Sequence, residues 1–315
     1  MLNKILKNYN QGGLSQVFRK ICNVFFFKIL ILLSYIKLKK NNFKIIFPYD
    51  NQITVKLPPL KLINFFKHQE FFIAYREFYE RPNKEAGLRS IVKLIIDLGY
   101  AEGGSIIDIG AWLSDNSITW SKMIKQKNQV IAIDPSKFNI KFGKLLCKEN
   151  KIKNILYVCA ICLDLKNILV KPLNKINHTS FIKANSSDIQ KLKTNTIDNI
   201  VGNKKISLLH IDVEGSEFEV IKGSKNTIKK FRPFIIFEQH MDKDDTIRIL
   251  KFLNNFNYKL YIINEKLLLN EPDCKNLIAI PNHINRSFFI KNVEKKLKKI
   301  KIMQSEKGNY LKKYF

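Results

Sequence analysis

Four segments of this chain close an apolar run with a carboxylate: Asp108 in SIIDIGAWLSDN (105–116), Asp134 in VIAIDPS (130–136), Asp212 and Glu214 in LLHIDVEG (208–215), and Glu238 in FIIFEQH (234–240). A short apolar run bounded in this way reads as a buried strand with a polar residue at its carboxyl end. In open parallel sheets, ligands bind at those ends, near the point where strand order reverses. These acids and the neighbouring His240 are therefore expected around one site. A further run ends near Cys159 and Ala160, which puts Ala160 at the same edge.

The residue types suggest distinct tasks. A carboxylate at Asp134 can accept hydrogen bonds from the vicinal hydroxyls of a ribose, with a helix N-cap as the alternative. Gly110 removes a side chain where a ligand must pass close to the backbone. A pyrophosphate would need G-x-G-x-x-G, so that backbone N–H groups reach it. Here Gly110 is followed by Ala111, Trp112, Leu113, Ser114 and Asp115, with an acid where phosphate charge would sit. That argues against a dinucleotide. Asp108 suits a cationic ligand, and Trp112 either walls the pocket or fills the core. S-adenosylmethionine carries an ammonium and a sulfonium, and both favour carboxylates and aromatic faces. Asp212, Glu214 and His240 form the expected catalytic group, with His240 or Asp212 as the base. Glu238, Glu217 and His178 are expected to meet the substrate, although Glu217 also suits the start of a helix and His178 a turn. His210, inside a strand, reads as structural. The acids show no diagnostic ligand spacing, so no metal is assigned.

The elements that must position these residues follow from periodicity. Strands are expected at 105–109, 129–133, 154–159, 205–211, 233–238, 258–263 and 276–280. Helices are expected at 116–127, 137–150, 217–231 and 244–256. Residues 163–200 read as irregular and polar, a substrate loop or insertion. Upstream, residues 43–60 suggest a hairpin, and 61–100 read as helical with a break near Arg81-Pro82. Leu88, Ile91, Val92, Ile95 and Ile96 form a stripe that ends at Gly99. Alternating strands and helices of these lengths predict an α/β fold, a doubly wound and mostly parallel sheet.

The order and spacing of six blocks resemble the FkbM family of S-adenosylmethionine-dependent methyltransferases. The blocks are IIDIGA (106–111), AIDPS (132–136), HTSF (178–181), LLHIDVEGSEFEVIKGS (208–224), RPFIIFEQH (232–240) and PDCKNLIAIP (272–281). The resemblance implies a Rossmann-like, seven-stranded methyltransferase sheet and O-methylation, with sugars of glycans and hydroxyls of natural products among the family's substrates. It implies that Asp108, Gly110, Ala111, Trp112, Asp134 and Ala160 hold the cofactor. Most members carry Asn-x-Gly where this chain has Trp112-Leu113-Ser114, so Ser114 is expected to narrow the methionine end of the pocket.

The organisation expected is an N-terminal basic and apolar extension (1–87), a methyltransferase domain (88–285) and a basic tail (286–315) whose lysines read as a solvated helix. With 55 Lys+Arg against 27 Asp+Glu the net charge is +28, which favours an anionic partner. The basic residues are dispersed, so a specific nucleic-acid role is not expected. The apolar run 21–36 is shorter than the ~20 residues of a spanning helix and contains Lys28. Residues 17–40 are thus read either as a helix packed on the domain or as a peripheral contact with anionic membrane. No small-residue cleavage site follows, so no signal peptide is expected. Five sparse cysteines suit a reducing, cytoplasmic compartment, and Cys159-x-x-Cys162 reads as two small buried residues. The leading reading is an O-methyltransferase acting on a sugar hydroxyl of a glycan or glycolipid. An RNA methyltransferase and a non-catalytic binding module on the same fold stand beside it.

Overall fold

The computed structural model describes residues 29, 32, 33, 36, 44–47, 53–58, 78, 85–124, 128–175, 178–183, 192–240, 245–264, 274–298 and 311–313. The helical reading of 61–84 lies outside them apart from Phe78. The chain divides into two compact units, Met1–Ile45 with Lys56–Pro82, and Ile46–Val55 with Asn83–Phe315. Strands β1 (Lys44–Phe47) and β2 (Ile53–Lys56) form a two-stranded sheet of their own.

The second unit alternates as the periodicity predicts. Helix α1 (Ala86–Asp97) leads to β3 (Ser105–Ile109), α2 (Asp115–Met123), β4 (Val130–Asp134), α3 (Lys137–Asn150), β5 (Ile155–Cys159) and β6 (Ile161–Cys162). Then come β7 (Leu169–Lys175), β8 (His178–Lys183), β9 (Leu192–Asn195), α4 (Ile197–Val201), β10 (Ile206–Ile211), α5 (Glu217–Lys222), α6 (Lys225–Phe231) and β11 (Phe234–His240). The chain closes with α7 (Asp245–Asn254), β12 (Tyr258–Ile263), β13 (Cys274–Pro281), α8 (Arg286–Leu297) and β14 (Leu311–Lys313).

The main sheet runs β14-β12-β13-β11-β10-β3-β4-β5. The seven long strands are parallel except β13, which runs against both β11 and β12. The three-residue β14 adds an eighth, antiparallel strand at the edge. Strand order reverses between β3 and β10, so the crevice at their carboxyl ends is where this topology places a ligand.

Strict alternation along the buried strands splits the core into two layers. Ile106, Leu208 and Ile236 join Leu88, Ile91 and Ile95 of α1, Trp120 of α2 and Phe289 of α8 on one face. Ile107, Leu209 and Ile235 join Val220, Ile228 and Ile249 on the other. Helix α1 ends where the stripe predicted: Gly99 has φ +80, and the amides of Leu98, Gly99 and Tyr100 return to the carbonyls of the last turn.

Four expectations change. Residues 163–200 are not irregular: β6, β9, β7 and β8 make a separate four-stranded sheet, with β7 and β8 antiparallel. The helix expected over 217–231 is two helices, broken at Gly223-Ser224. A Cβ on Gly223 would lie 2.2 Å from the Leu163 carbonyl, so the crossing chain passes through that break. The helix expected to reach 127 leaves helical geometry at Ile124, whose ψ of 153° is extended. Residues 286–315 are more than a solvated tail: α8 buries Phe289, Val293 and Leu297, and β14 pairs with β12.

Candidate active site at the strand-order reversal

Three side chains on one sheet face build the base of the site. Asp108 and His210 are register partners on β3 and β10, and Asp212 lies two residues beyond His210. Period two therefore puts all three on the α1–α2 face. His210 Nδ1 and Asp108 Oδ1 are 2.8 Å apart, and both residues are buried. Ser117 of α2 donates to the other Asp108 oxygen. Burial opposes a charge on His210, but the adjacent Asp108, with Glu85 and Asp115 behind it, raises its pKa above the usual histidine value. Trp120 meets the ring edge-on at 5.1 Å.

The helix N-termini supply the roof. Arg89 of α1, 1% exposed, donates through Nε to Asn116 at 2.6 Å and through a terminal nitrogen to Asp115. Asn116 in turn donates to Glu85 at 2.7 Å. This network ties the start of α1 to the start of α2. Beneath it a small cavity of about 20 Å³ is lined by Glu85, Asp108, Gly110, Ala111, Trp112, Asp115, Asn116, His210 and Asp212. Four of these are carboxylates, so the pocket suits a cation.

The turn after β3 is set by its neighbours. The amides of Gly110 and Ala111 both donate to the Ile133 carbonyl, and the Trp112 amide donates to Asp134 at 2.9 Å. Trp112 and Ser114 hold φ of 39° and 63°, in the left-handed region. Asp134 also accepts from the Ser136 amide at 2.7 Å and from Asn139 at 3.0 Å. Ser136, not Asp134, caps α3. Burial pushes the Asp134 carboxyl up to about 6, against those three hydrogen bonds.

Several expected roles change with the geometry. Gly110 lines the pocket, and the fold also requires a glycine there: a Cβ would lie 1.7 Å from the Asp212 carbonyl, at a φ of +79°. Asp108 lines the pocket, but both its oxygens are engaged by His210 and Ser117. Ser114 does not narrow the pocket: its hydroxyl turns toward α3, where a Cβ on Gly143 would lie 2.5 Å from it. Glu217 folds back to accept from the amides of Val213 and Gly215, and so braces the loop after β10; burial raises its pKa. Ala160 packs against the core layer on the opposite face. Cys162 is buried but Cys159 is exposed.

Other residues come together. Ile211 is level with Phe237, so Asp212, just past β10, and Glu238 of β11 follow side by side. Their carboxylates and that of Glu85 each place an oxygen within 4.8 Å of the others. Glu214 sits in the loop beyond, with a φ of 57°. His240 ends β11 and His178 opens β8, and their side chains lie outside the described residues. Sequence reasoning missed Glu85, Arg89, Asp115 and Asn116, and gave His210 only a structural part. Arg89 left a signal, since it stands beside Leu88 inside an apolar helical stripe. Glu85 left none, because no strand end marks it.

A doubly wound sheet with an antiparallel strand near one edge and a pocket at its order reversal defines a Rossmann-like, class I methyltransferase domain. Residues 108–260 match the family model of the methyltransferase FkbM domain. No curated protein matches the chain. Among solved structures, it is similar to methyltransferase FkbM from Methylobacillus flagellatus KT at 13% identity and a TM-score of 0.44, covering 69% of this chain and 59% of that one. It thus spans about three fifths of that relative's length. A precorrin-6y C5,15-methyltransferase from Geobacter metallireducens GS-15 shows 12% identity and a TM-score of 0.38, covering 60% and 87%. An rRNA methylase from Streptococcus thermophilus shows 8% and 0.39, covering 62% and 93%. At these values the likeness says nothing of substrate.

Proposed function

We propose that the chain transfers the methyl group of S-adenosylmethionine to a hydroxyl of a sugar in a glycan or glycolipid. The observation that carries the reading is the acid-lined pocket at the order reversal, inside the FkbM domain, with Trp112 in its wall. The residues fit the cofactor. Asp115 suits its cationic end, and Trp112 offers an aromatic face. Asp134 accepts three hydrogen bonds, and a carboxylate has about four acceptor positions, which leaves room for a ribose hydroxyl. When bound, the cofactor supplies a methyl on a sulfonium for in-line transfer to oxygen, the carbon–sulfur electron pair returning to sulfur.

The chain's own part is positioning and proton removal. Asp212 and His240 are the candidate bases for the acceptor proton, and Asp212 lines the pocket. Glu238, beside Asp212, can orient neighbouring hydroxyls, as can Glu214 from the loop after β10, and His178, at the start of β8, is the further candidate for substrate contact. Glu217 serves by holding the Val213–Gly215 turn in place.

Work at the cytoplasmic face of an anionic membrane belongs to the same reading. Ile29, Leu32, Leu33 and Ile36 are helical and exposed, spaced as one helical stripe, and Lys28, Lys37, Lys39 and Lys40 border them in sequence. Among the described residues no helix is long and apolar enough to cross a membrane.

Calorimetric titration with S-adenosylmethionine tests the central claim. Binding should weaken as pH falls through about 6, because protonation removes an acceptor from Asp134. Asp134→Asn should bind more weakly and lose that pH dependence. A folded wild-type protein that takes up no cofactor would end the methyl-transfer reading.

A further inference from the structure

We propose that Glu85, Asp212 and Glu238 form a site for a hard divalent cation of the magnesium and manganese class. The three carboxylates arrive from separate places: the residue before α1, the end of β10 and β11. Each offers an oxygen within 4.8 Å of the others. Oxygen ligands at about 2.1 Å in an octahedron stand about 3 to 4 Å apart, so small side-chain rotations bring all three around one cation. The strands fix two of them, because Asp212 and Glu238 follow the paired residues Ile211 and Phe237.

A second observation points to the same place. His210 is 2% exposed and lines the pocket with Glu85 and Asp212. Its Nδ1 is engaged by Asp108, while its Nε2 is buried with no hydrogen-bond partner among the described residues. Leaving such a nitrogen unpaired is unfavourable, unless the pocket's occupant satisfies it. Magnesium-class ions keep several of their waters when bound. A metal-bound water in this pocket would give His210 Nε2 its missing partner. Bonding of an imidazole's other nitrogen to a carboxylate is also the usual arrangement around metal centres.

Binding of the cation stands apart from the proposed reaction. Only its use, as a Lewis acid beside an acceptor hydroxyl, rests on that reading. The test uses the full chain, stripped of metal with a chelator and titrated with Mn²⁺, following loss of the free-ion electron spin resonance signal. One equivalent should be taken up, and Glu238→Gln should weaken uptake about tenfold or more, since ligand charge sets affinity. Thermal melts guard against a misfolded variant. Without metal, Glu238→Gln should melt above wild type, because one of three crowded charges is gone, and Mn²⁺ should no longer raise its melting temperature. No uptake by wild type, or uptake unchanged in Glu238→Gln, overturns the site. Displacement of Mn²⁺ by S-adenosylmethionine also overturns it, because the acids would then be holding the cofactor's ammonium. A chain that binds Mn²⁺ but no S-adenosylmethionine keeps the metal site and loses the proposed cofactor.

Discussion

At the scale of single residues, the site rests on two constraints that substitution can expose. Gly110 is held by the Asp212 carbonyl, which lies 1.7 Å from where a Cβ would be, and by a positive φ. Gly110→Ala must therefore push β3 and β10 apart. Urea unfolding should show a loss of about 3 kcal/mol or more, larger than an ordinary surface change. The Asp108–His210 pair carries a pH signature. Its histidine has a folded-state pKa above the unfolded value of 6.5. The pair's contribution is thus complete below about pH 6.5 and is lost as pH rises through the folded value. Comparing His210→Gln with wild type should show the larger stability gap in mildly acidic buffer and a smaller one in alkaline buffer. A gap independent of pH would assign the residue to packing alone.

At the scale of elements, two pieces outside the expected sheet-and-helix rhythm are part of the structure. Residues 163–200 hold a small sheet whose β9 and β6 run beside one another before the chain enters α4. Polar composition hid its strands, since β7 and β8 alternate too weakly to stand out from a loop. Helix α8 was hidden in a lysine-rich run, yet Phe289 is fully buried while Phe288 beside it is 50% exposed. Phe289→Ala should cost about 3–5 kcal/mol by the usual range for buried aromatics, and Phe288→Ala well under 1. Equal, small losses in urea melts would return 286–297 to the status of a tail.

At the scale of the whole molecule, the net charge of +28 dominates. Dispersed like charge destabilises a compact chain by self-repulsion, and salt screens it. The melting temperature should rise as sodium chloride increases from a few millimolar to a few hundred. RNA affinity measured over the same range should collapse without sequence or structure preference, as Coulomb attraction does. Retention of a specific RNA at high salt would favour an RNA acceptor over a sugar.

The sequence by itself determined the rhythm of the fold and the acids at the strand ends. Those signals are local: alternation, apolar run length, and an acid closing each run. Asp108, Asp134, Asp212 and Glu238 were legible for that reason. The tertiary structure alone decided what each acid does. Pairing of β3 with β10 couples Asp108 to His210 across more than a hundred residues, and the chain crossing at Gly110 explains that glycine. Glu85 reaches the pocket, and Arg89 the Asp115 and Asn116 above it, only through tertiary packing of α1, and no local pattern encodes that. The shared position of three carboxylates from distant segments is set by strand order and register, which arise only when the sheet assembles.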